Sequence, residues 1–187
     1  MIPPVDSVAD LTAAMTDGHR LKLLYFWGHQ PPRDGGVGSG CLSQWWPAPF
    51  VVDGVSFATA EHYMMWRKAI LFGDATTAAQ VVNAPHPHAA KALGRQVAGF
   101  NEPTWEAHRL AIVVAGNLAK FGQHPDLRRY LLDTGDRVLV EASPLDRIWG
   151  IGLRGDDPRA GDPTQWQGLN LLGFALMRVR AALRDRP

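Results

Sequence analysis

Glu61 and Lys68 lie seven residues apart, so a helix through this stretch carries a carboxylate and an amine on nearly one face. The stretch 59–73 reads as such a helix, with Thr59 as its N-cap and Gly73 as the left-handed residue that closes it. Glu61 then occupies the first turn, where the helix dipole favours a negative charge, and Met64 and Met65 fill the strip between the two charges. The same pattern also describes an ordinary amphipathic helix with a charged edge.

Tryptophan is the second residue type that could do chemistry. Of the seven, Trp45-Trp46, Trp105 just after Asn101, Trp149 in Asp-Arg-Ile-Trp-Gly, and Trp166 fall at helix starts or in loops rather than within periodic apolar faces. Indoles so placed stack on a planar ligand, line a cleft, or plug a loop onto the core. Two carboxylates, Glu61 and Asp146, with two indoles, Trp105 and Trp149, suit cleavage of a bond from ribose to a base nitrogen. Such a bond breaks through an oxocarbenium-like state, which a carboxylate stabilises while it positions or deprotonates water. An aromatic face can hold the leaving base.

Other chemistries find less support. His86-Pro87-His88 has no carboxylate or thiol at ligand spacing and His62 is a single histidine on a helix, so neither a metal nor a cofactor is expected. There is no nucleophile elbow and no Walker loop. The run Gly35-Gly36-Val37-Gly38-Ser39-Gly40 could cradle a phosphate, but no helix pattern follows it directly, and a mobile surface loop is the better reading. Cys41 is the only cysteine, which fits a reducing compartment and an inert side chain. A net charge of +1 gives no field for binding along a nucleic acid, although a nucleotide-sized partner needs only one or two arginines. Met1-Ile2-Pro3-Pro4 is not a signal-peptide start, and no apolar run approaches the ~20 residues of a membrane span. A cytoplasmic protein without a membrane partner is expected.

The elements that must position these residues can be read in order. Residues 1–20 look like a leader, with a short helix from Asp6 to Met15 stopped by Asp17-Gly18. A single domain follows over 21–187. Leu21 to Trp27 reads as a buried strand and 28–40 as a loop. Phe50-Val51-Val52 and Val55-Ser56-Phe57 flank Asp53-Gly54, a type I′ hairpin that delivers the chain to Thr59. Helices are predicted over 74–82, from Pro87 to about Val97, and from the Asn101 cap to about Phe121. The last of these is the expected main core helix, facing inward with Leu110, Val113, Val114, Leu118 and Phe121. A helix over 125–132, a strand over 137–141, an irregular stretch over 142–167 and a helix from Gly168 to about Arg184 complete the chain. In the last helix Leu172, Leu176, Val179 and Leu183 point inward and arginines outward. The sum is a mostly helical α+β fold, a single compact domain with a β-hairpin and a short sheet.

Taken together, Ala58 to Tyr63 with the helix to Lys68, Pro85 to Arg95, Trp105-Glu106, Ala119 to Arg128, Leu139 to Glu141 leading to Asp146 and Trp149-Gly150, and Asn170 to Arg180 resemble the NADAR, or YbiA-like, family in order and spacing from about Leu23 to Arg180. The resemblance implies the YbiA-like fold and hydrolysis of N-glycosidic bonds of ribose. Family members act on a phosphoribosylamino-pyrimidine intermediate of riboflavin synthesis or remove ADP-ribose from a modified guanine. It also implies active-site positions at Glu61, Trp105, Asp146 and Trp149, with Lys68 as a further catalytic candidate and Trp45, His62 and Arg95 as further substrate-binding candidates. On this reading Glu61 is a base or charge stabiliser and Asp146 an acid or a holder of ribose hydroxyls. Lys68 either attacks the sugar through a Schiff base with opened ribose or pairs with a phosphate or with Glu61. The partner is a nucleotide-like small molecule, or ADP-ribosylated guanine in nucleic acid. A non-catalytic ADP-ribose or NAD sensor is the alternative of a different class. Where the family usually has Ser-Asn-aromatic before the hairpin, this chain has Ser43-Gln44-Trp45, and its Gly-rich stretch at 28–40 is longer than in small members. Both differences fall where substrate could be gripped.

Overall fold

Side-chain caps decide where the helices begin. Ser7, Thr59, Asp74, His86 and Asn101 each accept a backbone N–H from the first turn that follows, satisfying a donor the helix itself leaves open. In a computed structural model that describes residues 5–33 and 35–184, the chain runs α1 (Val8–Thr16), β1 (Leu23–Phe26), a 3-10 turn (Ser39–Leu42), β2 (Phe50–Val52), β3 (Val55–Phe57), α2 (Ala60–Leu71), α3 (Ala75–Val82), α4 (Pro87–Gly94), α5 (Glu102–Gln123), α6 (Pro125–Asp133), β4 (Val138–Glu141), two further 3-10 turns (Pro158–Gly161 and Pro163–Gln165) and α7 (Leu171–Arg184). This is the mostly helical α+β architecture expected, with two small two-stranded sheets. Among the described residues no helix is long and apolar enough to cross a membrane.

The contacts divide the chain into two units. One comprises residues up to Gly28 and those from Tyr130 onward. There β1 pairs with β4 in parallel, Leu23 opposite Val138 and Phe26 opposite Glu141. Val138 and Val140 of β4 join Leu11 and Ala14 of α1 and Phe174 of α7 in one apolar core. The stretch expected as a leader therefore supplies core side chains. The last helix begins at Leu171, not Gly168, because Asn170 takes φ +52°, outside the right-handed helical region. Asn170 is fully buried; its amide donates to Leu139 O at 2.9 Å and its Oδ1 accepts from Glu141 N–H at 2.9 Å. One side chain thus ties the end of β4 to the start of α7. Arg180 departs from the expected outward face: it is buried, donating to Thr134 Oγ1 at 2.7 Å and to Arg137 O at 2.9 Å.

The other unit is His29–Arg129. Its hairpin turns as expected: Asp53 and Gly54 both take positive φ, +49° and +79°, the requirement of a type I′ turn. The α2 helix packs on α3, α4 and α5. Where α2 meets α5, Tyr63 lies so close to Gly116 that an added Cβ would stand 2.5 Å from its ring. The α4 helix ends at Gly94, before the expected Val97; the chain turns there, and Ala98 N–H is taken by the Asp74 carboxylate at 2.9 Å.

The largest difference lies on α5. Val113 and Phe121 are buried as expected, but Leu110, Val114 and Leu118 are only half-buried, and the fully buried face runs through Trp105, Arg109, Ile112, Gly116, Asn117 and Lys120. The buried stripe is rotated toward polar residues because those residues have backbone and side-chain partners inside the unit. Hydrophobic periodicity registers apolar side chains and is blind to a polar one with a partner waiting.

Candidate functional site

Glu61 stands in the first turn of α2, the second residue after the Thr59 cap, and is 3% exposed. Its backbone N–H donates to Gln44 O at 3.0 Å, so the Ser43-Gln44-Trp45 segment docks against the helix start. That segment is held from behind by α5. Lys120 Nζ donates to Cys41 O at 2.7 Å and to Ser43 O at 2.9 Å, and Asn117 Nδ2 donates to Gln44 Oε1 at 2.7 Å. Lys120 is fully enclosed, and burial pushes its amine down to about 7; the Cys41 thiol nearby acts in the opposite direction. Burial likewise pushes the Cys41 thiol up to about 12, which leaves it a protonated, inert group.

Lys68 sits on the same helix, half-buried. Its Nζ donates to Gly94 O at 2.8 Å, one of the terminal carbonyls that α4 cannot satisfy itself. The amine lies 4.1 Å from the Phe100 ring centroid and 5.5 Å from that of Trp105. Desolvation lowers its basicity below that of an ordinary lysine, with Glu102 pulling the other way. Lys68 and Trp105 are thus brought together. Phe100 was missed in the sequence reading, although its signal was present. It precedes the Asn101 cap, and Trp105 is the fourth residue of the helix after it, the spacing of a hydrophobic staple.

His62, beside Glu61, is wholly taken up by the fold. Its Nδ1 pairs with Thr59 Oγ1 at 2.8 Å and its Nε2 with Ala84 O at 3.1 Å; burial lowers its pKa. A neutral ring donating from Nε2 and accepting at Nδ1 satisfies both contacts. Its geometry is that of a residue that positions α2. Arg95 is exposed at the C-cap of α4, directly after Gly94. Trp45 is half-buried and stands between two imidazoles, with ring centroids 5.8 Å from His29 and 6.2 Å from His88.

Asp146 and Trp149 belong to the other unit, where one loop holds both. Asp146 Oδ1 accepts from Ile148 N–H at 2.9 Å and from Trp149 N–H at 2.8 Å, which fixes the carboxylate to the tryptophan's own backbone. The loop is strapped to the start of α7: Asn170 N–H donates to Gly150 O, Leu171 N–H to Ile148 O and Leu172 N–H to Trp149 O. Gly150 and Gly168 permit this approach, since a Cβ on either would run into backbone oxygens, Glu141 O in the first case and Gly150 O in the second. Among the described residues no group of three His, Cys, Asp or Glu side chains could hold a metal ion.

Comparison with known proteins gives a consistent picture. The NADAR domain family model matches residues 25–184. An N-glycosidase of Acanthamoeba polyphaga mimivirus is 43% identical over 85% of this chain and 95% of its own length. The N-glycosidase YbiA of Escherichia coli (strain K12) is 32% identical over 72% of this chain and 76% of its own. The NMR structure of the E. coli protein YbiA is similar with a TM-score of 0.68 at 28% identity, covering 89% of this chain and 88% of that one.

Proposed function

The chain belongs to the NADAR family, and on that footing we propose that it is an N-glycosidase that hydrolyses the bond between ribose C1′ and a base nitrogen, removing ADP-ribose from ADP-ribosylated guanine. Relatives named N-glycosidases support a hydrolase of N-glycosyl bonds. The observation that carries the reading is on α2: a buried carboxylate at the helix start, Glu61, shares one element with a desolvated amine, Lys68, set against Trp105 and Phe100.

The helix N-terminus favours negative charge at Glu61. As the C1′–N bond lengthens, that charge stabilises the oxocarbenium-like sugar and the carboxylate takes a proton from the water that adds to C1′. The base leaves with a proton, so water is divided between sugar and base. Lys68 supplies a covalent variant of the same hydrolysis. Its lowered basicity keeps more of the amine unprotonated, so Nζ can bond to C1′ as the base departs with a proton; opening of the ribose ring then gives a Schiff base, which water hydrolyses to release the sugar and the amine. Asp146 is assigned a part by resemblance alone, and its substitution tests that part separately.

The experiment is chromatography of ADP-ribosylated guanosine after incubation with the protein, with the phosphoribosylamino-pyrimidine run beside it. Released ADP-ribose supports the proposal. Turnover of the pyrimidine alone moves the assignment to that substrate, and tight binding with unchanged input makes the protein a sensor. Glu61→Gln should fold normally and lose turnover by about 10²–10⁴-fold, the usual contribution of a general base. Full activity in that variant removes Glu61 from the mechanism. Borohydride trapping decides the covalent variant: an adduct on Lys68 supports it, and its absence under turnover leaves direct hydrolysis.

A further inference from the structure

Four rings from three separate segments form a row in the unit 29–129. His29 faces Trp45 at 5.8 Å, Trp45 meets His88 edge to face at 6.2 Å, and His88 neighbours His86 at 6.0 Å. The row is tethered to the helix start at two points. Gln44, next to Trp45, accepts Glu61 N–H, and Ala84, two residues before His86, accepts from His62. His86 is near enough that its charge disfavours protonation of His62.

We propose that His29, His88 and His86, with Trp45 between them, form an anion-binding ledge beside Glu61 that takes the phosphate of a phosphorylated ribosyl substrate; this rests on the N-glycosidase reading above. Among the described residues the side chains of His29 and His88 make no hydrogen bond, so their ring nitrogens are available to a ligand. His86 is already oriented: its Nδ1 accepts Ala89 N–H at 3.0 Å, which leaves Nε2 as the donor in the neutral ring. Neighbouring rings of the row stand 5.8–6.2 Å apart, and among the described residues no group of three His, Cys, Asp or Glu side chains could hold a metal ion. That spacing suits the separate oxygens of a phosphate, or of two successive phosphates. Trp45 supplies a flat apolar wall, which suits a ribosyl phosphate better than an inorganic ion.

The other charged groups on the segments that carry the row are Arg33 in the loop before the 3-10 turn, Lys91 on α4 and Arg95 at its end, while Glu61, Arg67 and Lys68 lie on the neighbouring α2. Burial lowers the pKa of His62, and both of its ring nitrogens are already engaged, by Thr59 and by Ala84 O.

The test is calorimetric titration of the whole chain with ribose 5-phosphate, ADP-ribose and ribose. The two phosphates should bind at least tenfold more tightly than ribose. In the double variant His29→Gln, His88→Gln, phosphate affinity should fall tenfold or more, with ribose unchanged. His86→Asn, which keeps a capping side chain, should weaken the same two ligands, and an unchanged melting temperature checks that each variant is folded. Equal losses for all three ligands, or undiminished phosphate binding in the folded variants, overturn the ledge. Because the readout is binding, a wild type that holds phosphate in this way yet releases no base from any N-ribosyl substrate refutes the glycosidase reading and leaves the ledge standing.

Discussion

Lys120 should write its presence into the pH dependence of stability. Its amine is fully enclosed, with a pKa of about 7 in the folded chain, whereas a lysine in an unfolded chain titrates at about 10.4. Below pH 7 both states hold the proton and no slope arises. Above it the unfolded chain holds a proton that the folded chain has released, so stability climbs with pH until the unfolded lysine also titrates. A full proton difference is worth about 1.4 kcal/mol per pH unit, or about 2 kcal/mol between pH 7 and 8.5. The upper end of that window matters. Cys41 has a raised pKa, so above about 8.5 the unfolded thiol ionises first and stability falls on its account. Urea unfolding of the wild type and of Lys120→Met at half-unit steps from pH 6 to 8.5 isolates the lysine. The variant should be less stable throughout, because Cys41 O and Ser43 O lose their donor at about 1–3 kcal/mol each. The gap between the two proteins should widen by about 2 kcal/mol above pH 7. Parallel curves across the window would show that the buried amine titrates as it does in the unfolded chain, and the reasoning fails.

Other substitutions probe the packing. Gly116→Ala lies inside α5, where alanine normally gains about 1 kcal/mol in helix propensity; here the added Cβ meets the Tyr63 ring, so a net loss of about 1–3 kcal/mol is expected by thermal or chemical unfolding. A stabilised Gly116→Ala protein would show that Tyr63 has room to retreat. Asn170→Gly keeps the left-handed backbone but removes two buried hydrogen bonds, so it should cost about 2–4 kcal/mol. Asn170→Ala should cost more, since it adds backbone strain. Asp146→Asn retains an oxygen for Ile148 and Trp149 N–H; it should fold normally and reduce release of the base, and undiminished turnover would take Asp146 out of the chemistry.

What the sequence made legible follows from where the signals are local. The Thr59 cap, the Asp53-Gly54 turn and the Glu61–Lys68 spacing each depend on a few adjacent residues, and the structure carries all three. The same holds for Asp146 and Trp149, which share a loop because a four-residue turn binds one to the other. The polar face of α5 was not legible. Lys120 and Asn117 are buried by partners some seventy residues earlier in the chain, at Cys41, Ser43 and Gln44, and no periodicity encodes a pairing of that range. The row of imidazoles was hidden for the same reason. His86-Pro87-His88 reads as an isolated pair until His29 and Trp45 arrive from elsewhere.

The polar stripe on α5 also bears on how the chain finds its fold. An apolar helix face can slip along its neighbour by a turn at modest cost, because one methyl group substitutes for another. Asn117 and Lys120 are teeth cut for particular slots: a one-turn slip would carry both away from the oxygens at Gln44, Cys41 and Ser43 and strand an amine in a dry interior. The joint therefore closes in a single alignment, and the backbone of Glu61, hung from Gln44, is aligned by the same closure. Redesign that replaces those teeth with leucines would trade a keyed helix for a sliding one, and the first thing to drift would be the segment from which Glu61 is suspended.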